Sequence, residues 1–379
     1  MSNRNIFQAL QSAGGAGGAA LNVEDVFSTY LYTGNGSTQT ITNGIDLDGE
    51  GGLVWIKSRS HSYPHNLYDT ERGATKRLKS SSTAAESTLS TGLTAFSSNG
   101  FTLGGDNDTN GTYSDAQYAS WTFLKSKRFF DIQTWTGNST AGRTISHNLE
   151  AEIGFIAIKC TSASGDWMSW HRSASTYAGR VLKLNATDGA ANISSIFNST
   201  NPTSTEFTLG SSYDVNGNGQ TYVAYLFAHN DGDGEFGPTG DQDIIKCGSY
   251  TGTGHPSTPS AQQTIELGFE PQWFLTKRTN SGASWQLVDN MRGMADAYER
   301  LYPDQSAAED YEGDGMIPTA TGIKFTGGQA QHNASGGTYI YIAIRRPTAV
   351  PESATDVFGI SYAQDENTVP FPVDFMLTK

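Results

Sequence analysis

The apolar positions of this chain fall into short runs, and one run recurs. Leu53-Val54-Trp55-Ile56-Lys57 returns as Phe155-Ile156-Ala157-Ile158-Lys159, as Trp273-Phe274-Leu275-Thr276-Lys277 and as Phe375-Met376-Leu377-Thr378-Lys379. The closing lysines lie 102, 118 and 102 residues apart. A fixed period of that size marks a repeated unit. The flanking patterns predict strands rather than helices. Val26-Phe27-Ser28-Thr29-Tyr30-Leu31-Tyr32 alternates as a half-buried strand does. The turn Thr33-Gly34-Asn35-Gly36 follows, with glycines suited to positive φ.

Other positions keep the same order. Phe101-Thr102-Leu103-Gly104 is echoed by Phe207-Thr208-Leu209-Gly210 and more loosely by Ile323-Lys324-Phe325. Each unit closes on an aromatic strand, from Tyr118, Tyr222 and Tyr339. Twelve residues after the lysines stand Asp69, His171 and Asp289, the first and third opening Asp-x-x-Arg-Gly. Arg77-Leu78 with Ala84-Ala85-Glu86 matches Arg300-Leu301 with Ala307-Ala308-Glu309, and Leu184 with Ala190-Ala191 keeps that spacing. Three units result, 26–125, 129–229 and 244–346, each of ~100 residues with turn signals every ~8–12, the pattern of an antiparallel sandwich.

Residues 126–128, the Asp/Gly/Pro-rich 230–243 and the proline-bearing 347–356 read as linkers between independent beads. Residues 357–379 hold an incomplete fourth copy, whose strands either continue into further chain or pair with another subunit. Helix formers gather only at 296–301. Residues 1–25 form an N-terminal tether, with a glycine-rich run at 14–18. It is either an unstructured terminus or a docking peptide acting through Ile6, Phe7 and Leu10.

Composition narrows the function classes. Aromatics make up 11% of the chain and glycines number 43, which suits short strands and turns. The net charge of −14, without a basic cluster to offset it, argues against nucleic acid as partner. No apolar run approaches the ~20 residues of a membrane span, so membrane insertion is not expected. Cys160 and Cys247 each adjoin an apolar strand and read as buried free thiols, in keeping with assembly in a reducing cytoplasm.

Candidate sites are few. Asp106, Asp108 and Asn110, and at the equivalent place Asp214, Asn216 and Asn218, supply alternating oxygen donors and a turn glycine, the opening of a Ca²⁺ loop. Both loops lack the bidentate glutamate such a loop ends on; the alternative is a turn whose side chains bond their own backbone. The Asp-x-x-Arg-Gly pair reads as anion-binding or as a structural ion pair. Trp167, Trp170 and His171 suggest a sugar platform or core packing. Pro64 between His61 and His65 rules out a helical metal pair. No nucleophile–base set or carboxylate pair recurs, so an enzyme is not expected. The strand-closing lysines are expected to lie along apolar surface with their heads in water.

The motifs carried by Tyr32-Thr33-Gly34-Asn35, Val54-Trp55-Ile56-Lys57, Leu67-Tyr68-Asp69 with Arg72-Gly73, Gly100-Phe101-Thr102-Leu103-Gly104 and Tyr118 with Trp121 resemble a repeated SPRY-like or concanavalin-like domain of virion proteins of tailed, chiefly marine, phages. The resemblance covers nearly everything except the first ~25 residues and the linkers, as tiled repeats do. It implies an all-β chain of tandem jelly-roll or concanavalin-like sandwiches. It implies a virion structural role as tail fibre, spike or capsid-surface fibre, assembled in the host cytoplasm. Its partners would be other tail or capsid proteins and further copies of the chain, with host attachment through a surface glycan. The alternatives are a carbohydrate-binding adhesin module and, on a concanavalin-like fold, a glycan-degrading enzyme, which would need two carboxylates across a cleft.

Overall fold

The computed structural model describes residues 20–347 apart from 114, 175–178, 257, 259–261, 296–297 and 314. Ile6, Phe7 and Leu10 and the fourth copy lie outside the described residues.

The regular structure of the described chain is nearly all β, in three repeats of one topology. The first contains β1 (Phe27–Thr33), β2 (Gln39–Thr42), β3 (Gly52–Ser58), β4 (Asn66–Asp69), β5 (Lys76–Lys79), β6 (Ser87–Thr88), β7 (Leu93–Ser97), β8 (Gly100–Leu103) and β9 (Gln117–Leu124). Its large sheet runs β1-β9-β3-β4-β5-β6 and its small sheet β2-β8-β7. The second contains β10 (Phe130–Thr136), β11 (Arg143–Ser146), β12 (Ile153–Cys160), β13 (Met168–His171), β14 (Arg180–Lys183), β15 (Ala191–Asn192), β16 (Glu206–Leu209) and β17 (Thr221–Ala228). They form sheets β10-β17-β12-β13-β14-β15 and β11-β16. A helical turn, Ser194–Phe197, replaces the third strand of the small sheet and buries Ile196 and Phe197.

The third repeat contains β18 (Ile245–Thr251), β19 (Gln263–Glu266), β20 (Pro271–Arg278), β21 (Gln286–Asp289), β22 (Tyr298–Arg300), β23 (Asp310–Glu312), β24 (Met316–Thr319), β25 (Gly322–Phe325) and β26 (Thr338–Arg345). Its sheets are β18-β26-β20-β21 and β19-β25-β24, with β22 and β23 as a separate ribbon. The helix foreseen near 296–301 is therefore the strand β22, held by an isolated bridge from Leu301 to Leu287.

The recurring apolar run is the central strand of each large sheet, β3, β12 and β20. β3 and β12 are buried along their whole length, and β20 all but its last residue. A sheet with one solvated face would alternate; a continuous apolar run means both faces are covered. The third repeat shows how. Phe274, Tyr339, Tyr341 and Ala343 belong to the core between its own two sheets. Trp273, Leu275, Ile340, Ile342 and Ile344 point the other way, into a core shared with the first two repeats.

The repeats are thus not independent beads: the described residues up to Arg346 form one compact unit. Aromatic rings fill the shared core, where the equivalent Phe123 and Phe227 meet edge to face at 5.3 Å. Trp273 stands edge-on to Phe123 at 5.8 Å, and Trp285 to Phe155 at 6.0 Å. Such pairs stabilise by about 0.5–1.5 kcal/mol beyond the area they bury.

Of the segments read as linkers, 126–128 and 230–243 are also built in, and 348–356 lies outside the described residues. The Asn230 side chain accepts the Ile244 and Ile245 N–H groups and donates to the Arg128 carbonyl. The Asp243 carboxylate accepts from Gly232 and Gly234, and Phe236 is buried. Leu21 accepts from the Gly237 N–H, while Val23 and Val26 enter the core, so the folded part begins within the region assigned to the tether.

Candidate functional site: the interlocks between repeats

Several of the polar positions that recur between repeats meet at the three junctions. At the first, the Tyr225 hydroxyl donates to Asp69 Oδ2 at 2.7 Å and Trp167 Nε1 to the Lys79 carbonyl at 2.9 Å. At the second, His171 Nε2 lies 3.0 Å from the Tyr341 carbonyl and Trp285 Nε1 donates to the Lys183 carbonyl at 2.9 Å. The third closes the cycle: Trp121 Nε1 donates to Asp289 Oδ2 at 3.0 Å, 168 residues away. Here His65 takes the tryptophan's place, beside the Tyr302 main chain. Main-chain bonds repeat the pattern, from Glu86 to Thr161, from Ala190 to Thr279 and from Glu309 to Arg59.

Strand pairing corrects one sequence equivalence. Lys79 opposes Asn66 and Lys183 opposes Met168, which makes Leu182, not Leu184, the counterpart of Leu78. For the same reason Ala190 stands where Glu86 and Glu309 do, and not at the place of Ala84.

The Asp-x-x-Arg-Gly element is the lock itself. Gly73 and Gly293 have φ of +92° and +103°, left-handed conformations that turn the chain after β4 and β21 and suit glycine. The turn returns the arginine to its own aspartate: Arg72 Nε reaches Asp69 Oδ2 at 2.6 Å, and Arg292 repeats this on Asp289 at 2.6 Å. Arg72 also donates to the carbonyls of Lys76 and Leu67, to Glu86 and to the Tyr225 hydroxyl. All five guanidinium donors are satisfied, which leaves none for an anionic ligand. Burial alone would depress Arg72, but the surrounding acids hold its pKa above the ordinary value. Arg292 reaches Glu309 at 2.8 Å and lies over the Trp121 ring at 5.4 Å. Glu309 continues to Arg59 of the first repeat at 2.7 Å.

The strand-closing lysines depart furthest from expectation. Lys57, Lys159 and Lys277 have no solvent exposure. Lys159 Nζ donates to the carbonyls of Cys160 and, across the junction, Thr83; Lys277 Nζ donates to those of Arg278 and, across its junction, Thr187. Lys57 donates to Ser58 and His61 within its own repeat. The acceptors at all three are neutral carbonyls, so burial pushes these ammonium groups down, Lys57 to about 7 and the other two to about 8. A neutral amine has two N–H groups, enough for each pair of carbonyls.

A trough of about 470 Å³ opens beside the first interlock. Glu71, Arg72 and Glu86 wall it, and Thr134, Thr136, Thr161 and Thr221 of the second repeat supply hydroxyls. Its charges are paired internally, Glu86 with Arg72 and Lys76, and Glu71 with Lys125.

The side chains of the Asx-rich loops are engaged within the protein. Asn110 is buried; its carbonyl accepts the Asn35 N–H, and its amide donates to the carbonyls of Ser37 and Gly104. Asn216 does the same between Asn138, Thr140 and Gly210, and Asn333 between Thr253, Gly254 and Gly327. In every repeat this asparagine ties the loop after the first strand to the loop that carries it. Asp108 pairs with Arg77 at 3.1 Å, Asp106 is bonded by Thr109, and Asp214 takes the Ser212 hydroxyl. Asn218 is exposed, its N–H donating to Ser139. Among the described residues no group of three or more His, Cys, Asp or Glu is placed to hold a metal ion.

Trp167 and Trp170 are buried, so they offer no face to a sugar. Cys160 and Cys247 are buried and unbridged. Sequence reasoning missed the cross-repeat acceptors. Their one visible trace was the residue two beyond each lysine, Arg59, Thr161 and Thr279, whose carbonyls join the repeats.

The fold and its interlocks define an all-β protein of three repeats closed on one another through buried polar contacts. It belongs to the family described as a domain of unknown function, DUF7483, whose model matches residues 22–347. No curated protein and no solved structure matches the chain.

Proposed function

We propose that the protein is a structural component of a tailed-phage particle, a tail fibre, spike or capsid-surface fibre protein, that presents its repeats for attachment to a host surface. The closed cycle of interlocks carries the reading. It commits the recurring charged residues, Asp69 and Arg72 and then Asp289, Arg292 and Glu309, to holding the repeats rigidly together rather than to chemistry. A rigid, acidic, many-stranded body suits an exterior component that must stay soluble and withstand load. The resemblance of the repeat motifs to those of virion proteins of tailed phages supports the same role. Mass spectrometry of purified particles tests it: the chain is expected in stoichiometric amount, and its absence from particles would end the proposal.

A further inference from the structure

Among the described residues most large aromatic side chains are buried, and the exceptions are informative. In the first repeat, the loop after β3 and the loop before β9 bring His61, Tyr63 and Tyr113 together at the surface. Tyr63 and Tyr113 have ring centroids 6.3 Å apart at 29°; His61 lies 6.0 Å from the first and 5.3 Å from the second, at 30° and 39°. Tyr113 is 47% exposed. The cluster is not part of the repeat's structural requirement. The positions of His61 and Tyr63 are occupied by Ala163 and Gly165 in the second repeat and by Ser281 and Ala283 in the third. There the Gly165 and Ala283 N–H groups bond the preceding repeat, through Thr83 and Thr187. The Tyr63 N–H instead bonds the His61 carbonyl of its own loop.

We infer that His61, Tyr63 and Tyr113 form a stacking platform for a neutral sugar residue of a polysaccharide. Flat ring faces bind the C–H face of a pyranose, and polar groups at the ring edges bind its hydroxyls. Both kinds of group are present. The Tyr113 hydroxyl accepts from the Asn107 amide at 2.9 Å, and the Ser60 hydroxyl lies 3.0 Å from His61 Nδ1. An apolar peptide would need aliphatic surface alongside, but the neighbouring Ser62 and Thr112 are polar and exposed. The neutral class follows from charge: the protein carries −14, so an anionic sugar would be repelled. The inference rests on the attachment reading only for its biological setting.

The test uses the purified full chain on an array of neutral hexose oligosaccharides, with uronic and sialic acid oligosaccharides as the acidic arm. Binding is expected in the neutral arm. Tyr113→Ala should lower it at least tenfold at unchanged thermal midpoint, and Tyr113→Phe should retain most of it. Tyr213→Ala removes a tyrosine of similar exposure, 51%, in the second repeat and should have no effect. No neutral binding, binding confined to the acidic arm, or equal binding by Tyr113→Ala would overturn the inference. Because binding is read on purified protein, a negative result leaves the virion proposal to the particle measurement, and the reverse also holds.

Discussion

Trp121 and Asp289 should be energetically coupled, because their contact joins the first repeat to the third. Asp289 has no solvent exposure; it holds the Arg292 main-chain N–H at 3.0 Å and the Arg292 guanidinium at 2.6 Å as well as the indole N–H at 3.0 Å. Removing its charge with Asp289→Asn leaves the buried Arg292 cation facing Glu309 alone. One-sided loss of a buried pair costs about 3–5 kcal/mol. Trp121→Phe deletes the indole donor, a hydrogen bond to a charged group that contributes about 1.5–3 kcal/mol, and leaves a small void. The double variant should be less destabilised than the sum of the singles by about 1–2 kcal/mol, since Trp121→Phe removes the shared bond and Asp289→Asn already takes the charge from it. Urea unfolding followed by tryptophan fluorescence and by far-ultraviolet circular dichroism measures all four corners of the cycle. Additivity within about 0.3 kcal/mol, the value for residues that do not touch, would refute closure between these repeats. The equivalent cycle of Tyr225→Phe with Asp69→Asn should show coupling of the same sign across the first junction.

Stability should rise with pH between about 7 and 10, because unfolded lysines keep their protons to about 10.4 while Lys57 releases its proton near 7 and Lys159 and Lys277 near 8. In that window the unfolded state binds more protons. Above it the buried Tyr32, Tyr225 and Tyr250, whose pKa values burial raises, reverse the slope. Urea midpoints at pH 6.5, 8 and 9.5 check the rise, and a flat profile would contradict the buried-lysine geometry. Lys159→Met should flatten the profile and be best tolerated at the acid end, where the wild-type ammonium carries the full cost of burial. Asn216→Ala should cost about 1–3 kcal/mol by leaving the buried Gly210 carbonyl unpaired and releasing the Asn138 and Thr140 main chain, measured by the same unfolding. Excess Ca²⁺ or a chelator should leave the thermal midpoint of the unmodified protein unchanged; a Ca²⁺-dependent rise would restore the metal reading of Asp106 and Asp214.

The repeat and its central strands were legible because bulky apolar residues recur at fixed offsets from Lys57, Lys159 and Lys277. The run Leu53-Val54-Trp55-Ile56 also held the clue to the ring, since an unbroken apolar stretch signals a strand covered on both faces. What covered the outer face was not legible, because the partners come from more than a hundred residues away, as Trp121 and Asp289 do. The lysines misled for the same reason. A lysine closing a strand has the same local sequence whether its head meets water or the Thr83 carbonyl. The Asx-rich loops were ambiguous because asparagine is equally suited to ligate a cation or to staple a backbone, and only the positions of the Asn35 and Gly104 main chains decide between them. Tyr113 falls outside the repeating positions altogether, so the period that exposed the core concealed the platform.

Differential scanning calorimetry of the full chain tests the closed cycle of three repeats most directly. Interlocked repeats should melt together, in one endotherm whose calorimetric and van't Hoff enthalpies agree. Three separable transitions, or a van't Hoff enthalpy about a third of the calorimetric value, would show independent beads and contradict the ring.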